Sequence, residues 1–178
     1  MLNLLNQYSS SRISWTLLLL CTLAFEGTAL FFQHGLNLAP CTLCIYQRVT
    51  LLGIVFACLV AMIGPKYIIF RLLAIFIWLY CAVEGFNLAT FQARLQFAPS
   101  LTDTCSINVQ FPSWLPLNSW FPNVFNATGS CSEKLWSFLT IEMSQWMIII
   151  FSCYFIVGCI ILLAQFFSPA KQQHKWSN

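Results

Sequence analysis

Four apolar blocks, each long enough to cross a bilayer as a helix, set what this chain of 178 residues can become. Crossing the hydrocarbon core takes about 20 apolar residues in a helix, and the segments 13–32, 45–63, 72–89 and 146–167 meet that length. Hydrophobic residues make up 59% of the chain and charged ones 7%, against about 45–50% and about 25% in soluble domains. Most of the chain therefore lies in lipid, and residues 1–178 form one integral membrane domain with no large soluble part. The net charge of +3 is scattered over the block ends, with no run of Lys and Arg able to follow a phosphate backbone, which argues against nucleic acid as a partner. The first block follows Arg12 as a signal peptide would, but it is long for one, contains Glu26 and leads to no small-x-small cleavage site. Nor does a small residue precede Cys21 as a lipoprotein site requires, so the block reads as an uncleaved span.

The expected fold is an all-α bundle of four transmembrane helices. Gly64, Pro65 and Lys66 make a short turn, so the second and third helices should be antiparallel neighbours. The other connections are a short loop, 33–44, and a long one, 90–145. Arg12, Lys66, Arg71, Lys171 and Lys175 fall on one side of the bundle, whereas the short loop has no Lys or Arg and Arg94 and Lys134 belong to the long connection. Basic residues stay on the cytoplasmic side when loops are short, so both termini should be cytoplasmic and both cysteine-bearing loops periplasmic. In the long loop Trp114, Leu117, Trp120, Phe121, Val124 and Phe125 recur at helical spacing, while Pro112, Pro116 and Pro122 limit the segment to one or two turns. An aromatic segment of this kind suits a short amphipathic helix lying at the headgroup boundary.

The nine cysteines divide by depth. Cys21, Cys58, Cys81, Cys153 and Cys159 fall inside the spans, where a thiol is a small inert hydrophobe. Cys41, Cys44, Cys105 and Cys131 lie in the two outward loops, in a compartment that permits disulfides. Four cysteines allow three pairings, and the residues alone do not choose among them. A 105–131 link would restrict the unfolded chain by on the order of 3.5 kcal/mol and a 41–44 link by about 2 kcal/mol. The wide pair alone would pass for a staple; the short CxxC ring is the kind that opens and closes in exchange chemistry.

Pro40 precedes Cys41-Thr-Leu-Cys44 and the second span follows it, which puts Cys44 in the first turn of a helix whose N-terminal dipole favours a thiolate. Arg48 comes one turn later on the same face, placed to support that thiolate and to donate to a carbonyl. The plainer alternative is an interface anchor that snorkels. Ile45 occupies the position where c-type haem attachment needs His, and no second close cysteine pair or nearby His completes a zinc site, so no metal is expected. Glu26, a carboxyl inside a span, is a candidate for proton uptake or, more simply, a brace of the bundle. His34 receives no role, and the Asn126-Ala-Thr128 glycosylation pattern carries little weight.

Pro40-Cys41-Thr-Leu-Cys44-Ile-Tyr-Gln-Arg48, Phe111-Pro-Ser-Trp-Leu-Pro-Leu and the Cys105 and Cys131 positions resemble the bacterial disulfide bond formation protein B family. The likeness runs over nearly the whole chain, including Trp78-Leu-Tyr80 and Glu142-Met-Ser-Gln-Trp146. It implies a quinone-dependent dithiol oxidoreductase of the bacterial inner membrane that reoxidises a thioredoxin-fold, DsbA-like oxidase of the periplasm. An oxidase and quinone couple of this type is what keeps the bacterial periplasm oxidising. The implied relay runs from the partner to Cys105 in a disulfide with Cys131, then through Cys131 to Cys41, and from Cys44 to ubiquinone, or menaquinone, near Arg48. Gln47 and Gln92 stand where family members can carry Glu and His, and Glu84 where some carry a basic residue, so a quinone contact from position 92 is not carried over. A quinone-linked oxidase like vitamin K epoxide reductase has its CxxC after its loop cysteines, the reverse of the order here. Two other readings are a paralogue serving a dedicated client and a scaffold braced by disulfides with no turnover.

Overall fold

A computed structural model gives the architecture, and it describes residues 9–98, 105, 109–113, 115–133 and 136–167. Trp114, Lys134, Lys171 and Lys175, named above, lie outside these. Four helices are long and apolar enough to cross a membrane: α1 (Arg12–Leu30), α2 (Thr42–Ile63), α3 (Ile68–Phe97) and, after the long loop, α6 (Met143–Phe167). Within the loop come α4 (Leu117–Trp120), α5 (Pro122–Phe125) and a hairpin of β1 (Ser137–Phe138) and β2 (Ile141–Glu142).

The bundle winds in chain order, α1 on α2, α2 on α3 and α3 on α6. Side chains such as Ile13, Leu17, Phe56, Ile69 and Phe166 point outward and are exposed, as expected where the surroundings are lipid. The interior is held instead by close packing and paired polar groups. Trp78 of α3 meets Trp15 and Tyr154 edge-on, with ring centroids 6.2 and 6.4 Å apart, and the Tyr154 hydroxyl shares a 2.9 Å hydrogen bond with Thr22. Gly85 lets α3 approach α6 so closely that a Cβ there would fall on the Phe151 ring.

The helices depart from the expected limits at several ends; α3 and α6 start earlier than expected, at Ile68 rather than 72 and Met143 rather than 146. The first continues past Leu30 as a π-helical turn, Phe31–Gly35. The second begins at Thr42, because Cys41 caps it: the Cys41 sulfur accepts from the Cys44 amide at 3.2 Å. The third runs 30 residues, to Phe97 rather than 89, so the long loop begins eight residues later than its polar composition suggested. Gln92 and Leu95 are buried on this extension, and Gln92-Ala-Arg-Leu-Gln96 are all strong helix formers, so the helix outlasts the apolar span. Pro99 follows in the sequence and disfavours a helical Ala98.

The expected aromatic helix is two separate single turns, because Pro122 at the start of α5 cannot donate into α4. The hairpin has no counterpart among the expectations. Its turn residues Leu139 and Thr140 have φ of 52° and 65°, a conformation usually signalled by Gly or Asn. The span cysteines also differ among themselves: Cys58 is buried, Cys81 and Cys159 are half-buried, and Cys21 and Cys153 are exposed on the outer face of the bundle.

Candidate functional site

The four loop cysteines come together at one end of the bundle. Cys41 and Cys131 are buried in a cluster with Leu43 and Leu95, and Cys44, Cys105, Leu88 and Phe91 pack against it. Cys105 and Cys131 form a disulfide with Cα atoms 6.2 Å apart, while Cys41 and Cys44 are thiols. Two backbone hydrogen bonds hold the Cys131 segment on the CxxC turn, from the Thr128 and Gly129 amides to the Pro40 carbonyl at 3.0 and 3.1 Å. Gly129 makes this approach possible, since a Cβ there would land on the Ala39 carbonyl oxygen. Tyr46 ties down the preceding stretch, accepting from the Gln110 amide at 2.8 Å and donating to the Gln110 carbonyl at 3.1 Å.

Within the CxxC turn the two sulfurs are unequal. The hydrogen bond with Cys44, and then burial, hold Cys41 well above the ordinary thiol range, so Cys41 is the member that keeps its proton. Cys44, at the third position of the helix, is half-buried and opens onto a cavity. Gln92 of α3 reaches both sulfurs, its Nε2 lying 3.3 Å from Cys44 and 3.5 Å from Cys41, and its Oε1 accepts from Gln47 Nε2 at 2.7 Å.

Arg48 lies one turn beyond Cys44 on the face that borders the same cavity, 6% exposed. Its Nη1 donates to Gln33 Oε1 at 2.8 Å and to the Val124 carbonyl at 3.1 Å, and its Nε lies 3.4 Å from Glu26 Oε2 in a buried ion pair. Phe125 sits 5.7 Å from the guanidinium, and Gln33 Nε2 donates to the Asn123 carbonyl at 2.9 Å. Arg48 is thus the bolt that joins α1, α2 and the α5 turn. The guanidinium is pinned by these groups rather than by Cys44, and Nη2 has no partner among the described residues.

The cavity is about 230 Å³. Phe25 and Ala29 of α1, Phe32 of the π-helical turn, Leu51 of α2, and Met147 and Ile150 of α6 make an apolar sleeve, with Cys44, Arg48 and Gln33 as its polar end. Trp136 and Trp146 border it as well; Trp136 stacks on Phe138 at 5.9 Å and leans on Phe32 at 5.0 Å. A cavity of roughly 150 Å³ takes a benzene ring, so a substituted ring fits here. A flat, largely apolar molecule with a carbonyl would find one thiol and one guanidinium with a spare donor edge at the polar end.

Comparison with known proteins gives the family. The family model described as disulfide bond formation protein DsbB matches residues 11–161. The chain belongs to the DsbB family. Proteins named disulfide bond formation protein B are similar to it in Photobacterium profundum, at 51% identity over 92% of this chain and 93% of the relative, and in Photorhabdus laumondii, at 46% over 94% and 99%. That of Sodalis glossinidius is 48% identical over 97% of each chain. This is a membrane protein of a disulfide-forming family, with its four loop cysteines gathered at one end of four spanning helices.

Of the five residues singled out from the sequence, Cys41, Cys44, Cys105 and Cys131 share one cluster, and Arg48 shares the cavity with Cys44. Gln33 carried no signal, and Gln47 and Gln92 stood out only as positions where family members can carry Glu and His; their mutual hydrogen bond, across 45 positions of chain, appears only in the fold. Trp136 looked like any loop aromatic. Glu26 was noticed as a charge in a span, and its partner one helix away was not.

Proposed function

We propose that the protein oxidises a reduced thioredoxin-fold, DsbA-like dithiol oxidase and passes the electrons to membrane quinone. The observation that carries this reading is the continuity of the site: the Cys105–Cys131 disulfide, the CxxC pair and the cavity bordered by Arg48 follow one another without a gap. A partner thiolate attacks Cys105, breaks its bond to Cys131 and leaves a mixed disulfide, with Cys131 released as a thiolate. Cys131 then attacks Cys41 in the oxidised CxxC pair, forming a 41–131 bond and releasing Cys44 as a thiolate. The second partner thiol resolves the mixed disulfide, so the partner leaves oxidised and two electrons remain with the cysteines.

Cys105 would then attack Cys131, re-forming the 105–131 disulfide and freeing Cys41, and the 41–44 bond would re-form as its two electrons pass to a quinone, which with two protons leaves as quinol. Arg48, with its free Nη2 edge, would be the group to hold a quinone carbonyl, Cys44 would be the thiol beside it, and the apolar sleeve of α1 and α6 would keep water out. Ubiquinone is the expected acceptor and menaquinone the alternative. The setting is the bacterial inner membrane, with both termini cytoplasmic and the loops periplasmic, a reading supported by Arg12, Lys66 and Arg71 lying at the end of the helices opposite the cysteines.

Purified protein given a reduced thioredoxin-fold partner and a short-chain ubiquinone should consume quinone in step with partner disulfide. Consumption at the uncatalysed rate, with the four cysteines unchanged, would sink the enzyme reading and leave a braced scaffold.

A further inference from the structure

The geometry points to Gln92 as the hydrogen-bond donor that holds Cys44 as a thiolate, with Gln47 as the positioning residue that fixes which end of the Gln92 amide faces the sulfurs. The inference rests on the proposed function, because it concerns the sulfur that reading puts next to quinone. Three observations carry it. Gln92 is 4% exposed and Gln47 2% exposed, so neither amide is a surface group that happens to point inward. Gln92 Nε2 lies within hydrogen-bonding distance of both CxxC sulfurs, 3.3 Å to Cys44 and 3.5 Å to Cys41. Gln47 Nε2 donates to Gln92 Oε1 at 2.7 Å, which leaves only the Gln92 nitrogen free to face sulfur.

That orientation has chemical meaning. Turning both amides over would preserve the hydrogen bond between them but offer an oxygen to the sulfurs, which suits a protonated thiol. The orientation found offers N–H, which suits a thiolate. A neutral donor is the economical choice at the edge of the hydrocarbon, because it stabilises a negative charge without burying a second charge that would need its own partner. The other charged and titratable groups about Cys44 are few. Cys41 shares its turn and keeps its proton. Cys105 and Cys131 are joined and do not titrate. Arg48 is one turn on, and its Nε and Nη1 are committed to Glu26, Gln33 and Val124. The direct donors to the Cys44 sulfur among side chains of the described residues are therefore Gln92 and Cys41.

The inference is tested by alkylation of Cys44 with iodoacetamide as a function of pH, read by peptide mass in the full-length protein in detergent with Cys105 and Cys131 joined and Cys41 and Cys44 as thiols, and with neither quinone nor protein partner present. Losing a hydrogen bond to a charged group moves a titration by about one to two pH units. Q92L should move the Cys44 midpoint upward by that amount. Q47L should move it the same way but less, since the amide remains and only its aim is lost. The double variant Q47L/Q92L, which strands no buried amide and so covers the case of a single variant that folds poorly, should match Q92L rather than exceed it. A Q92L or double variant whose Cys44 titrates like the parent overturns the assignment. So does a Q47L effect that adds to that of Q92L, because Gln47 would then act on sulfur by another route. Since the readout needs no turnover, it can succeed even where quinone reduction fails, and the two readings are judged separately.

Discussion

Adding one methyl group at Gly129 should disconnect the long loop from the CxxC turn. A Cβ built there lies on the Ala39 carbonyl oxygen and 3.0 Å from the Ala39 carbonyl carbon, so the loop must retreat by about 1 Å to restore ordinary contact. At that displacement the Thr128 and Gly129 amides, now 3.0 and 3.1 Å from the Pro40 oxygen, pass beyond good hydrogen-bonding range. Two such bonds at about 1 kcal/mol each correspond to ~30-fold in the population with Cys131 against Cys41. Gly129 does not have positive φ, so the methyl acts by contact alone and not through backbone strain. The assay compares quinone reduction driven by a thioredoxin-fold partner, which must enter through Cys105 and Cys131, with that driven by a small dithiol acting on Cys41 and Cys44 directly. Gly129→Ala should slow the first about tenfold to a hundredfold and spare the second. Gly27→Ala is the matched control, because a Cβ there meets nothing within 4 Å. Equal rates for Gly129→Ala and parent with the protein partner would refute the docking argument, and equal slowing with both donors would show damage to the bundle instead.

Arg48→Lys keeps the charge but loses the planar fork that reaches Glu26, Gln33 and Val124 together; quinone KM should rise about tenfold or more with partner KM unchanged, and a Lys variant equal to the parent would remove Arg48 from the cavity's function. Glu26→Gln leaves a buried guanidinium without its counter-charge, for which the usual cost is about 3–5 kcal/mol. Thermal unfolding in detergent should show a large loss for this variant and a much smaller one for Glu26→Gln combined with Arg48→Met, and a double variant no better than the single would contradict the pairing. Replacing Cys21, Cys58, Cys81, Cys153 and Cys159 together should preserve turnover, with any loss confined to stability and centred on the fully buried Cys58; a folded variant that no longer reduces quinone would return one of these thiols to the chemistry.

The sequence by itself determined the class of fold, because a run of some 20 apolar residues has few stable fates other than a spanning helix, and four such runs make a bundle. It also separated the loop cysteines from those in the spans, since position along a span is position in depth, and it placed Arg48 on the Cys44 face through helical spacing alone. Local rules worked where the cause was local. They stopped at the far end of α3, where the helix outlasts its apolar span and the burial of Gln92 and Leu95 depends on what they meet. They missed the hairpin, whose turn uses Leu139 and Thr140 at positive φ with no glycine to announce it. The Cys105–Cys131 bond, left open by the residues and implied by the resemblance, is present in the fold, and only the tertiary structure put that pair against Cys41 and brought Glu26, Gln33 and Val124 onto one guanidinium. Each of these joins residues many positions apart, and the free energy that selects such a pairing comes from packing, hydrogen bonds and charge in a low-dielectric interior, where an unmatched partner is costly.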